Sequence, residues 1–286
     1  MSAEVINGKY LAKDIRNRLA KEVELLNKES IKPKLTVILV GDDPASHSYV
    51  SGKKKASAQV GIESEIIELE KETSEEKLLA EIEKLNNDVS VHGILVQLPL
   101  PNHINEQKVI ESISPKKDVD GFHPINVGKM MLGEDTFLPC TPYGIITMLK
   151  SRDIEISGKH AVVIGRSNIV GKPVGQLLLA ESATVTYCHS KTVDLSKYTL
   201  DADILVVAIG REHVINSSHI KPGSVVIDVG VNRTSEGKLT GDVDFESAKE
   251  KAAFITPVPQ GVGPMTITML LENTIKAAKG IEQLGN

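Results

Sequence analysis

Tryptophan is absent from the 286 residues, and the other large aromatics amount to four phenylalanines and five tyrosines. Lysine and arginine are dispersed and the formal net charge is −5, so an extended basic, aromatic-studded surface for nucleic acid is excluded. Only two cysteines occur, Cys140 and Cys188, without C-x-x-C spacing, which excludes a disulfide framework and a zinc knuckle. The eight histidines are scattered with no H-x-x-x-H or H-E-x-x-H pair, so no metal site is expected. No run approaches the ~20 apolar residues a membrane span needs. The opening MSAEVINGKYLAKDIRNRLAKEV carries charges every few residues, unlike a secretory leader. These absences lead us to expect a cytoplasmic protein with a small-molecule partner, no nucleic acid and no membrane.

What is present is ordinary globular composition, 41% hydrophobic and 25% charged, at a length that accommodates two domains. Leu11, Ile15, Leu19, Val23 and Leu26 share one face of an opening amphipathic helix. KLTVILVG (34–41), SEIIEL and HGILVQLPLP read as strands, with a helical stretch from Glu75 to Leu85 between the last two. Continuous apolar runs such as TVILV and GILVQL, without polar alternation, predict strands covered on both faces in a parallel sheet. GEDTFLPCTPYG then interrupts the pattern, and GIITMLKSRD reads as a linking helix. A second series follows: GKHAVVIG (158–165), KPVGQLLLAES, SATVTYC, ADILVVAIG, GSVVIDVG and AAFITPVP. A last helix places Leu270, Thr274, Ala277 and Ile281 on one face. The fold class is therefore α/β, two parallel-sheet domains with a cleft between them, the boundary falling near residue 139.

VVIGRSNIVGKP sets a strand, a glycine loop and a helix in sequence, the arrangement that brings backbone N–H groups and a helix N-terminus to a phosphate. Its spacing departs from G-x-G-x-x-G: Gly165 holds the first place, Ser167 the third, and Gly171 comes one residue late. A tight turn with no ligand would read the same way. About twenty residues on, where NAD-binding forms carry an acid for the ribose 2′-hydroxyl, the chain reads YCHSKT. His189, Ser190 and Lys191, with Arg166 from the loop, suit a 2′-phosphate, so NADP is expected over NAD.

In the first domain, SHSYVSGKKK places Tyr49 and Lys53 four residues apart, on one helix face. A lysine works as a base near neutrality only when desolvation lowers its pKa by ~3 units; three successive lysines, 53–55, read equally as a solvated basic face. Gln97 ends an apolar strand just before Pro99 and Pro101, where a neutral amide can orient a lysine without adding charge, or simply cap the strand. KKDVDGFHP offers Asp118 and Asp120. An Asx turn accounts for one of them; a second carboxylate facing a cleft can accept paired hydrogen bonds from a 2-amino-pyrimidinone edge.

Taken together and in this order, SYVSGK, GILVQLPLP, PKKDVDGFHPIN, GRSNIVGKP and PVPQGVGPMTITML resemble the bifunctional methylenetetrahydrofolate dehydrogenase/methenyltetrahydrofolate cyclohydrolase family over nearly the whole chain. The resemblance implies a folate-binding catalytic domain of residues 1–138 to which the last helix, 267–286, returns, a Rossmann-like NADP domain of residues 139–266, and a homodimer acting on tetrahydrofolate derivatives. It implies Lys53 as the general acid/base, Tyr49 packing on the folate, Gln97 holding Lys53, and Asp120 binding the pterin. Gly165, Arg166, Ser167, Ser190 and Val231 fall at its NADP positions, and Gly263 and Thr266 at positions lining the folate and nicotinamide. The chain departs from the family where two glycines usually follow P-V-P: here Gln260 precedes Gly261. If that position needs φ > 0, glutamine is strained; if it is extended, the swap is tolerated. Tyr-x-x-x-Lys also resembles the pair of short-chain dehydrogenases, but there the glycine loop precedes the pair. A catalytically silent or single-activity NADP-binding folate protein is the remaining alternative.

Overall fold

A computed structural model of the chain describes residues 2–282, and side chains as far as Gly280, so the side chain of Ile281, expected on the last helical face, lies outside those described. The strands are β1 (Glu4–Val5), β2 (Lys34–Val40), β3 (Glu63–Leu69), β4 (Gly93–Val96), β5 (His160–Ile164), β6 (Thr184–Cys188), β7 (Ile204–Val207), β8 (Val225–Asp228), β9 (Asn232–Arg233), β10 (Leu239–Thr240) and β11 (Phe254–Ile255). The helices are α1 (Gly8–Lys28), α2 (Pro44–Val60), α3 (Glu75–Asn87), α4 (Glu106–Ser112), α5 (Pro124–Leu132), α6 (Cys140–Lys150), α7 (Gly171–Ala180), α8 (Ser196–Thr199), α9 (Phe245–Lys249) and α10 (Val262–Glu282). None of the described helices is long and apolar enough to cross a membrane.

The chain divides into two compact units. One comprises Asp14–Cys140 with the chain from Ile267 onward, the other the chain up to Lys13 with Thr141–Thr266. The first holds a parallel sheet in the order β3-β2-β4. Its central β2 is buried from Leu35 to Val40 and β4 throughout, whereas the edge strand β3 is largely half-exposed. Burial on both faces is what an uninterrupted apolar run requires, and an edge position is where alternation survives. Ile38, Val40, Ile94 and Val96 pack with Leu78, Ile82 and Leu85 of α3 and Val109 of α4.

The second unit holds a parallel sheet in the order β1-β11-β8-β7-β5-β6. β6 joins one side of β5 and β7 the other, so the winding reverses at β5, the point at which such sheets bind ligands outside the carboxyl ends of their strands. The sequence pattern leaves β1 invisible. Two residues carry no periodicity, yet Glu4 and Val5 pair in parallel with Phe254 and Ile255. That pairing takes the first thirteen residues into this unit, where the sequence reading had grouped them with residues 14–138.

Candidate active site

α2 begins at a designed stop in the chain: Asp43 accepts the backbone N–H of Ser46 at 2.8 Å, and Pro44 occupies the first helical turn. It ends at Gly61, whose φ of 82° closes the helix in the left-handed region. Within it, Tyr49 and Lys53 follow one another at one turn's spacing, and the Lys53 side chain turns inward to 6% exposure while Tyr49 keeps 38%. Of the three successive lysines, Lys53 is buried and Lys54 and Lys55 are exposed. The solvated-face reading therefore holds for the latter two only.

Lys53 Nζ donates to Gln97 Oε1 at 3.0 Å. Gln97 stands one residue beyond β4, its backbone N–H still bonded to Ile38 O at 2.9 Å. Its own Nε2 donates to Leu98 O at 2.6 Å, which turns the amide so that the oxygen faces the amine. Burial holds the Lys53 ammonium below its ordinary range, with the Asp120 carboxylate opposing. The same burial pushes the Tyr49 phenol up.

The two aspartates separate into different roles. Ile94 N bonds Lys117 O at 2.8 Å, so residues 117–118 run alongside β4 and deliver the next turn to the carboxyl edge of the sheet. Asp118 is consumed there: Phe122 N at 3.2 Å, His123 N at 2.8 Å and Asn126 Nδ2 at 2.8 Å all donate to it. Gly121 follows with φ 75°. Asp120, half-buried, has the Cys140 thiol against its carboxyl and feels the Lys53 charge; burial raises its pKa, Lys53 opposes and Asp118 reinforces the rise. Cys140 itself is 1% exposed, donates to Val119 O at 3.3 Å and is held well above the ordinary thiol range by burial. A thiol so placed is no nucleophile.

The predicted cofactor residues lie at the carboxyl edge of the other sheet. Gly165 closes β5 with φ 131°, and a Cβ there would meet Ala208 O at 2.3 Å. A Cβ on Gly171 would meet Gly165 O at 2.5 Å, so both ends of the loop require glycine for close approach. Between them Arg166, Ser167, Asn168 and Ile169 are exposed, and Ser167 Oγ accepts the N–H groups of Val170 and Gly171 at 3.2 Å each as α7 begins. Ser190 and Lys191 are exposed in the turn after β6, where Lys191 N donates to His189 Nδ1 at 3.2 Å. No carboxylate stands in YCHSKT, and Arg166 and Lys191 supply positive charge. Val231, 48% exposed, follows β8. An exposed glycine loop leading into a helix N-terminus, with cations in place of an acid, fits a dinucleotide bearing a 2′-phosphate. Gly263 and Thr266 lie in the first turns of α10, in the same unit as this loop, and Thr266 Oγ1 shares a 2.9 Å hydrogen bond with Thr141 Oγ1.

Gln260 takes the strained branch, with φ of 81°. Its carbonyl accepts Lys9 N at 3.1 Å from the start of α1, and the neighbouring Gly261 carbonyl leaves no room for a Cβ on Gly8, which would come within 1.9 Å. The first turn of α1 thus holds the 257–261 turn in place despite the glutamine. A left-handed non-glycine residue costs about 1–2 kcal/mol, part of which glycine returns as unfolded-chain entropy. Gln260→Gly should therefore raise stability by about 1 kcal/mol in urea denaturation, with turnover little changed; a large gain in activity would show instead that glutamine distorts the site.

Sequence reasoning missed two buried aspartates of the second unit, Asp228 and Asp242, each wrapped by several backbone N–H groups. The signal available was acids within apolar or glycine-rich strings, IDVG and GDVD.

A doubly wound sheet with a glycine loop at its reversal point, in one chain with a second parallel sheet whose carboxyl edge carries a buried amine, defines a two-domain nucleotide-binding α/β protein. The family model described as tetrahydrofolate dehydrogenase/cyclohydrolase, catalytic domain, matches residues 6–120, and the model for the NAD(P)-binding domain of the same family matches residues 139–282. The chain belongs to the tetrahydrofolate dehydrogenase/cyclohydrolase family. It is 65% identical over 282 residues to the bifunctional protein FolD of Oceanobacillus iheyensis, covering 99% of each chain. Its fold matches the crystal structure of the bifunctional FolD methylenetetrahydrofolate dehydrogenase/cyclohydrolase of Campylobacter jejuni with a TM-score of 0.96 at 51% identity, over 98% of this chain and 99% of that one. The Trypanosoma brucei N5,N10-methylenetetrahydrofolate dehydrogenase-cyclohydrolase, solved with NADP and an inhibitor, matches with a TM-score of 0.94 at 39% identity over 98% of each.

Proposed function

We propose that the chain oxidises 5,10-methylenetetrahydrofolate to 5,10-methenyltetrahydrofolate with NADP and hydrolyses that product to 10-formyltetrahydrofolate. The observation that carries the reading is the buried Lys53 amine held by the oriented Gln97 amide. NADP, when bound by the Gly165 loop with Arg166, Ser167, Ser190 and Val231, supplies the hydride acceptor. Loss of hydride from the methylene carbon leaves a cation shared by its two flanking nitrogens, so this chain has no hydroxyl proton to remove in that step. Its task is to position the folate: Asp120 accepts the hydrogen bonds of the 2-amino-pyrimidinone edge, Tyr49 covers the ring, and Gly263 and Thr266 line the folate and nicotinamide. Asp14–Cys140 and the helix from Ile267 then form the folate-binding catalytic domain, and Thr141–Thr266 the NADP domain.

Hydrolysis requires proton transfers, and here Lys53 acts. The neutral amine takes one proton as water adds to the methenyl carbon and returns it to N5 as the C–N5 bond breaks; the remaining hydroxyl proton leaves to solvent as the carbonyl forms, and the formyl group stays on N10. Only the unprotonated lysine starts this sequence. Because burial lowers its pKa, the hydrolysis rate should rise with pH and level off below the range of an exposed lysine. A profile still climbing where exposed lysines titrate would contradict the assignment.

The test of the whole reading is to follow the two steps separately by absorbance on purified protein: methylenetetrahydrofolate with NADP, then methenyltetrahydrofolate alone. Absence of NADP-dependent oxidation would refute it. We further place the chain in the cytoplasm as a homodimer; light scattering at twice the chain's mass is the expected result.

A further inference from the structure

Beyond Val207 the chain turns away from β7 through Ile209, Gly210 and Arg211, and three successive backbone N–H groups close on one carboxylate. Ile209 and Gly210 donate to Asp242 Oδ2 at 2.7 and 2.9 Å, and Arg211 to Oδ1 at 2.8 Å. Asn232 Nδ2 adds a fourth donor at 2.9 Å. Asp242 has no exposed surface, so these four donors replace its water.

Asp242 is held in turn by Asp228, the last residue of β8. Asp242 N and Gly230 N both donate to Asp228 Oδ1 at 3.0 Å, and Val243 N donates to Oδ2 at 2.9 Å. Asp228 N donates to Thr256 Oγ1 at 2.8 Å, which fastens the pair to the residue following β11. Two glycines let the carboxylates be wrapped this closely: a Cβ on Gly230 would lie 2.1 Å from Asp242 Oδ1, and one on Gly241 1.8 Å from Asp228 Oδ2. Val231 stands between Gly230 and Asn232, so both of its neighbours donate to the pair while its own side chain remains exposed. The loops after β7 and β8, at the carboxyl edge of the sheet, thus take their shape from two buried carboxyl groups.

We propose that Asp242, with Asp228 behind it, is a positioning residue for NADP, holding residues 209–211 and 230–232 in the form that receives the dinucleotide. The proposal rests on the NADP reading above and adds to it residues that need not touch the ligand. Charge and shape are both required. An asparagine at 242 keeps the size but offers one acceptor oxygen, and its amide nitrogen meets N–H groups that also donate.

The experiment is Asp242→Asn, with NADPH binding followed by nicotinamide fluorescence and both activities measured. Affinity for NADPH should fall about tenfold or more and KM for NADP should rise more than kcat falls, because the loops are displaced before chemistry begins. Hydrolysis of methenyltetrahydrofolate, whose acid/base Lys53 and pterin-binding Asp120 belong to the other unit, should stay within about twofold and reports that the variant is folded. NADPH affinity within about twofold of the parent, in folded Asp242→Asn, overturns the proposal. Should that variant lose hydrolysis as well, Asn232→Ala decides, since it deletes a single donor: weakening of about threefold supports the role and unchanged affinity overturns it. A parent protein that binds no NADPH would instead bring down the NADP reading itself, and this proposal with it.

Discussion

Lys53→Met should abolish hydrolysis of methenyltetrahydrofolate, by about a hundredfold to ten-thousandfold, the range over which a positioned acid/base acts. Methionine fills nearly the same unbranched volume, so α2 and its packing should survive. What disappears is the amine: Lys53 Nζ is the donor to Gln97 Oε1, and its burial keeps it available as a base. The amide oxygen is then left without that donor, a loss of about 1–3 kcal/mol that lowers stability without dismantling the site. Folate binding, measured by quenching or calorimetry, should be retained. A variant that still hydrolyses at the parental rate would remove Lys53 from the mechanism. One that no longer binds folate would show that the lysine serves recognition instead.

Asp120→Ala should strike the complementary property. Asp118 already accepts three donors and has little capacity left, whereas Asp120 has the Cys140 thiol and the charge of Lys53 for company. Loss of a carboxylate accepting paired hydrogen bonds should cost about 2–4 kcal/mol, a roughly 30- to 1,000-fold drop in folate affinity. Titration with NADPH should be unaffected. A second consequence separates this from simple damage. Asp120 is the charge that most strongly favours the Lys53 ammonium, so deleting it lowers the lysine pKa further. Residual hydrolysis measured at saturating folate should then reach its plateau at lower pH than in the parent. Unchanged folate affinity would refute the assignment.

The two sheets were legible because continuous apolar runs have few alternatives: β2, β4, β5, β7 and β8 are each buried on both faces, as TVILV, GILV, AVVI, ILVV and VVID suggest. The glycine loop was legible in part. Its displaced second glycine looked like a flaw, yet Gly171 is set by the close approach of α7 to the end of β5, a requirement of packing that spacing rules do not encode. The motif itself left Asp118 and Asp120 open and only the family resemblance singled out Asp120; that backbone N–H groups already occupy Asp118 is visible in the coordinates alone. Burial of Lys53 beside two exposed lysines needed them too, because one turn of helix decides which of three identical residues meets the sheet. Gln260 stood out in the sequence as a departure, and only its φ chose between the two readings. β1, the Asp228–Asp242 pair and the carbonyl contacts of Gly8 are invisible to periodicity, being contacts between distant stretches of chain.

The pairing of Glu4 and Val5 with Phe254 and Ile255 has a consequence for biogenesis. The outermost strand of the second sheet leaves the ribosome well before its partner, since Glu4 precedes Phe254 by 250 positions. During synthesis this segment must wait, unpaired, until the chain between the two strands has emerged, and closing so long a loop is slow. A nascent chain halted at the boundary near residue 140 can complete the Lys53 sheet yet still trails a loose end that belongs elsewhere. Excising the dinucleotide half as residues 141–266 would likewise leave β11 a bare edge, open to the wrong neighbour.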